Sequence, residues 1–324
     1  MTTRRAFLAL PILAARPHLW AQTDLLEQYR FESSPWPNLH HFLYVLARER
    51  KRAPDRTRVA VREAPLDNKG FDALPSEDRQ AWDAAISIYG KDAAPLEIGY
   101  GKLVDVNYAV ADLNGWTPIS QVHDIPESLR GALEQAGPVY RKLWWPRHDE
   151  ANRAWIEQLR PQVAQYGPRM ATQLSGAFRH SWPIGPLRVE VVAYANWAGA
   201  YTTGDPPLIT MSSLNIEHRG ADGLEQLFHE TSHLMMDTID ASLQSHARAL
   251  GKDLSRDVSH AILFYTAGKV VSGIVPDHVP YADHYGVWQR GFGHYHELAL
   301  QYWQPYLDGK IDMDDAIDRI VRGL

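Results

Sequence analysis

The chain has 324 residues, 45% of them hydrophobic and 22% charged, with a formal net charge of −6. That is the composition of a globular protein with one large domain or two smaller ones, and the acidic balance without a basic stripe argues against a nucleic-acid partner. Cysteine is absent, which excludes disulfides and thiolate metal sites, so any bound metal must rest on His, Asp or Glu.

Residues 1–21 read as an export leader. Arg4 and Arg5 precede a short apolar core, Arg16 follows it, and no acid interrupts the segment. The core is too short to span a bilayer comfortably. Thr3-Arg4-Arg5-Ala6-Phe7-Leu8 resembles the twin-arginine export motif, which implies a folded cargo delivered to the periplasm or beyond. Cleavage after Ala21 fits best, with Ala15 as the alternative. No other stretch is apolar enough to cross a membrane, so no stable span is expected once the leader is removed.

Residues 22–183 are expected to be mainly helical with Pro-rich breaks. An apolar-periodic run covers 39–46, a second helix starts at Ser76 and continues past Trp82, and long helices cover 126–144 and 148–178. After Pro183 the character changes. Residues 187–194 alternate and are rich in β-branched side chains, so they read as a strand, and 208–213 read as a second short one. A loop containing Gly199 and Gly204 joins them. A helix is expected over 223–239, with Asp222 at its cap and Glu225 three residues on. Further helices are expected over 257–271, 283–306 and 312–322.

The chemistry lies in His229-Glu230-Thr231-Ser232-His233, in the middle of the 223–239 helix. Residues four apart share one helix face, so both imidazoles can reach one ion. Glu230 follows the first histidine and can lean over the open side of the metal to take a proton from bound water. Leu224, Leu227, Phe228 and Leu234 supply apolar surface, so the helix is buried over much of its girth. Buried histidines and a buried carboxylate need a partner, and zinc is the usual one.

These residues resemble the zincin metallopeptidases, closest to the gluzincin branch. The resemblance covers roughly residues 187–300, and only the five-residue motif is specific. Position 236 holds methionine and position 239 isoleucine, not the glycine and histidine of metzincins. The resemblance implies a mainly helical α+β fold, with a small sheet whose edge strand precedes the active-site helix and a C-terminal helical subdomain. It divides the chain into the leader, a helical region over 22–183 and a catalytic region over 184–324. In that family extended substrate pairs with the edge strand, and 208–213 sits where that edge is expected.

The activity it implies is an exported Zn²⁺-dependent hydrolase acting on a peptide or protein, with Glu230 as general base. Two alternatives stand beside it: a periplasmic binding or assembly protein on the same scaffold with little turnover, and a zinc amidase acting on cell-wall material.

A catalytic zinc usually has three protein ligands, the third from a helix that follows the first. His260 leads, because its mostly apolar neighbours suggest a buried helix, and Glu297 is the alternative. Asp237, one turn after His233, is a candidate to orient it. Tyr265 and Tyr281 are candidates to donate to an oxyanion. Asn196, Trp197 and Tyr201 are candidates to line the cleft, His246 is expected at the surface, and His40 and His41 are expected half-buried. The helical region before Pro183 either shapes the cleft or is a removable pro-segment.

Overall fold

The computed structural model of the chain describes residues 25–51 and 70–324. The leader read over residues 1–21 lies outside them. The fold is mainly helical α+β around one four-stranded mixed sheet.

Strand β1 (Tyr29–Glu32) leads into helix α1 (Pro35–Lys51), followed by α2 (Ser76–Asp92), α3 (Lys102–Ala111), α4 (Glu127–Leu143) and the long α5 (Trp145–Phe178). Strands β2 (Leu187–Val192), β3 (Ala200–Thr203) and β4 (Leu208–Ser212) come next. Helices α6 (Ala221–Ser232), α7 (Asp237–Leu250) and α8 (Arg256–Ser272) then carry the candidate site, and α9 (Met313–Gly323) closes the chain.

The sheet order is β1-β2-β4-β3. β1, β2 and β4 are parallel, with Phe31 opposite Val189 and Val189 opposite Ile209. β3 runs antiparallel to β4, with Tyr201 opposite Thr210. β4 is buried along its whole length and β2 at every residue but Arg188, as befits strands covered on both faces.

Two expectations change here. The segment 208–213 holds an interior strand, and the sheet edges are β1 and β3, the latter in a segment that reads as loop. β1 was not foreseen at all, because its four residues acquire strand character only by pairing with β2, far away in sequence.

Two apolar cores share this sheet. One gathers α5, α6, α7, α8 and α9 with β1, β2 and β4, around residues such as Leu174, Phe178, Val189, Ile209, Phe228 and Trp303. The other gathers α1 to α4, around Phe42, Trp82, Tyr89, Tyr140 and Trp144. Asn38 joins them. Its side-chain amide donates to Val191 O at 3.1 Å, and its carbonyl oxygen accepts from Ala193 N at 2.8 Å and from Asn152 Nδ2 at 3.0 Å.

The helix expected over 223–239 is broken in two. α6 ends at Ser232, His233–Met235 form a 3-10 turn, and α7 starts at Asp237. The hydroxyls of Thr231 and Ser232 donate to the carbonyls of Leu227 and Phe228, at 2.8 and 2.7 Å. Such bonds compete with the helical ladder and loosen it at this point. The N-cap position is Gly220 and no side chain caps there, so the expected capping box is not made. Asp222 instead accepts from Tyr285 Oη at 2.8 Å, and Glu225 accepts from Tyr281 N at 2.9 Å while lying 2.6 Å from His278 Nε2.

The helix expected over 283–306 is a chain of short pieces: Tyr281–His284, Trp288–Arg290, Gly293–Leu298, Ala299–Trp303 and Gln304–Leu307. Gly286 and Gly291 take φ of 62° and 105°, a left-handed backbone that no helix continues through. Among the described residues no helix is long and apolar enough to cross a membrane.

Candidate metal centre

α6 is buried on every side from Gly223 to Ser232. α5 and α8 pack against it, and Tyr29 of β1 bonds the hydroxyl of Thr231 inside the motif at 2.9 Å. The motif is therefore held from both halves of the chain. His233, the first residue past α6, keeps φ −54° and ψ −30°. The right-handed turn thus continues far enough to leave His229 and His233 on one face.

α8 brings the third imidazole. Ser255 caps this helix by accepting from Asp257 N, which fixes where it starts and so which way His260 faces. The Nε2 atoms of His229 and His260 are 3.1 Å apart. One ligand nitrogen from each of His229, His233 and His260 lies within 4.8 Å of the others, and these three residues could hold a metal ion.

The donor chemistry fits such an ion. Burial, and then the neighbouring His233 and His260, hold the His229 imidazole well below its usual range. Burial lowers His260 to about 4, and loss of water followed by the nearby His260 lowers His233. All three rings are therefore neutral at pH 7, with lone pairs free for coordination. Two nitrogens bound tetrahedrally at zinc distances stand roughly 3.3 Å apart, close to the spacing of His229 and His260. A three-imidazole set suits zinc, copper, iron and nickel alike.

Glu230 sits beside this cluster without joining it. Its Oε2 is 3.9 Å from His233 Nε2. Thr202, on β3, donates its hydroxyl to Glu230 Oε2 at 2.9 Å and lies equally close to Glu230 O. Burial pushes the Glu230 carboxyl up to about 8, against the lowering effect of the Thr202 bond. Three nitrogen donors with a nearby carboxyl that is not a ligand leave part of the coordination sphere open.

Aromatic rings back the site: Phe264 lies 4.2 Å from the His229 ring and 4.7 Å from His260, and Phe292 lies 6.0 Å from His260.

The other sequence candidates lie elsewhere. Glu297 is exposed and outside the histidine group. Asp237 is exposed at the start of α7 and makes no hydrogen bond or ion pair among the described residues. Tyr265 donates to Gln304 at 2.5 Å and Tyr281 to Glu217 at 2.7 Å. Asn196 is buried and accepts from the amides of Ala198 and Gly199, while Trp197 is exposed. Tyr201 is buried and its hydroxyl meets His41 Nε2 at 2.6 Å. His246 lies 2.9 Å from Asp314 at the surface. His40 and His41 are fully buried, contrary to the half-buried expectation, because α1 is enclosed by α2, α4 and the sheet.

One residue beside the site escapes the sequence reading: Thr202, which lies inside a segment that reads as loop.

Comparison of the chain with known protein families, with characterised proteins and with solved structures found no match, so the geometry of the site carries the functional reading.

Proposed function

We propose that the chain is an exported zinc-dependent hydrolase of the zincin type that cuts peptide bonds. The observation that carries this reading is the convergence of His229, His233 and His260 beside the buried Glu230 carboxyl. Zinc held there would polarise a substrate carbonyl and bring the pKa of a water molecule towards roughly 7.

The chain's own part is proton handling and orientation. Glu230, with its proton affinity set near neutral, takes a proton from the attacking water and passes it to the leaving nitrogen. The Thr202 hydroxyl holds that carboxyl in place, which removes a rotamer search from each turnover. β3, as the edge strand, offers unpaired backbone beside the site for an extended substrate to align on. Export rests on Thr3 to Leu8.

The protein should purify with about one zinc per chain and hydrolyse a casein-type substrate in a chelator-sensitive way. Glu230→Gln should keep the zinc and lose about 10²–10⁴-fold in turnover. Turnover equal to that of the parent would remove Glu230 from the reaction. Activity confined to cell-wall amides would move the substrate class, and zinc binding without any hydrolysis would favour a binding protein. A reporter joined after residue 30 should be exported, and Arg4→Lys with Arg5→Lys should stop it. Export that persists in cells lacking the twin-arginine pore rules out that route.

A further inference from the structure

An open cavity of about 650 Å³ lies in the N-terminal half, and none of its lining residues belongs to the metal centre. Hollows of this size commonly take small organic ligands. Trp36, Trp116, Pro118, Ile119, Gly137 and Pro138 supply its apolar walls.

These walls come from α1, from α4 and from the segment between α3 and α4. Gly137 lies inside α4, where an added Cβ would stand 3.1 Å from Trp36 Cη2. The missing side chain lets the buried Trp36 indole lie against the helix backbone. Trp36 Nε1 donates to Thr117 O at 2.9 Å, which fixes the ring and ties down the segment that carries Trp116. The Trp116 ring meets Trp36 edge-on, with centroids 5.2 Å apart and planes at 71°. Such an indole pair presents flat and edge surfaces suited to another ring.

The groove is charged differently at its two ends. Arg141 and Lys142 stand at one of them, with the Arg141 guanidinium 5.4 Å over the Trp116 ring. Neither cation makes an ion pair among the described residues. A guanidinium lying over an indole keeps its N–H fork free for a planar anion with two oxygens. Glu134 lies two turns earlier on α4, about 10 Å along the helix axis. Its carboxylate and its backbone carbonyl, which Pro138 has no N–H to serve, are both acceptors and turn a carboxylate away. Two cations in the last turn of a helix are ordinary, since they suit its dipole. Here they also border an apolar hollow, and an apolar ligand with an anionic head matches both features at once.

We propose that this groove binds a small organic carboxylate with an apolar ring system. The rings lie against Trp36 and Trp116, and the carboxylate meets Arg141 and Lys142.

The test uses the full chain with pyrenebutyrate as probe and pyrenebutanol as its neutral twin, read by energy transfer from tryptophan to pyrene. The acid should bind about tenfold more tightly than the alcohol. Added salt should weaken the acid and leave the alcohol unmoved. Arg141→Met with Lys142→Met, both at exposed positions, should fold as the parent does. That variant should bind the acid about tenfold more weakly, with the alcohol unchanged. Trp116→Ala should weaken both probes about tenfold. Equal affinity for acid and alcohol, or acid binding indifferent to the paired Met changes, overturns the carboxylate assignment. Absence of energy transfer from the parent overturns the site. So does a parent dimer that Trp116→Ala dissociates, because a second copy then fills the groove. None of these readouts needs hydrolysis, so the outcome is independent of the peptidase reading.

Discussion

Two sets of three histidines, one buried throughout and one buried to half-buried, show how differently the same side chain is used in the two cores. In the N-terminal core each ring meets a tyrosine: His40 with Tyr89 at 2.8 Å, His41 with Tyr201 at 2.6 Å and His148 with Tyr140 at 2.9 Å. Burial lowers the pKa of His40 and His41 too, so a depressed imidazole does not by itself identify a ligand. In the second core His229, His233 and His260 turn their nitrogens towards one another. A neutral imidazole has one donor and one acceptor nitrogen. A tyrosine hydroxyl satisfies that pattern pairwise, while three imidazole nitrogens facing one point suit a shared cation. Ring partners, more than burial, separate a core histidine from a ligand.

The strongest way to break this comparison is to delete the rings one at a time. His229→Ala, His233→Ala and His260→Ala should each take bound zinc from about one per chain to near zero, since two imidazoles seldom hold zinc tightly. His148→Phe should leave the zinc in place while destabilising the protein by about 1–3 kcal/mol, because Tyr140 loses its buried partner. Metal analysis of the four variants decides the matter. Loss of zinc from His148→Phe, or its retention in His260→Ala, would collapse the distinction.

A second test uses the titration of the metal-free protein. Glu230 has an ordinary value of 4.5 and is raised to about 8 by burial. A group whose pKa is raised on folding favours the fold fully below its unfolded value and loses that contribution as pH rises through the folded value. Metal-free Glu230→Gln should therefore be more stable than the parent at pH 9, by about 2–4 kcal/mol, with the gap closing as pH falls towards 4.5. Denaturant melts at pH 5 and pH 9 measure it, and a gap of the same size at both would show that the carboxyl is not held in a dry setting.

The smallest expected effect is at Thr202. Thr202→Val removes the hydroxyl that holds Glu230 and keeps the shape of the side chain. Loss of one hydrogen bond to a charged group is worth about 1.5–3 kcal/mol. Turnover should fall about 10-fold or more while zinc content stays constant, and unaltered turnover would mean that Glu230 is oriented by something else.

Much of the site could be read before any fold was known, because its signals are local. The spacing of His229 and His233 states a shared helix face, and the apolar neighbours Ala261, Ile262 and Leu263 mark the helix that buries His260. The mainly helical α+β architecture was legible from the same periodicities. What escaped was set by distant partners. β1 and β3 are four residues each, too short to show alternation, and exist by pairing with β2 and β4. The break after Ser232 arises from two hydroxyls that read equally well as ordinary helix residues. His40, His41 and His148 look no less like ligands than His260 until their tyrosine partners are known.

The Asn38 junction also bears on how the molecule comes apart. Its amide is the shared rivet of α1, α5 and the end of β2, and it is 2% exposed. If either core opened alone, the Ala193 amide would lose the Asn38 oxygen in a place water reaches poorly, at about 1–3 kcal/mol, and Asn152 would lose one of its three side-chain partners. Partial unfolding is penalised from both sides, so the two cores should melt in one cooperative transition rather than as independent foldons. The region before Pro183 then behaves thermodynamically as an inseparable half of the protein and not as a detachable leader to it, and a metal ion added to the three histidines of the second half should raise the melting temperature of the first.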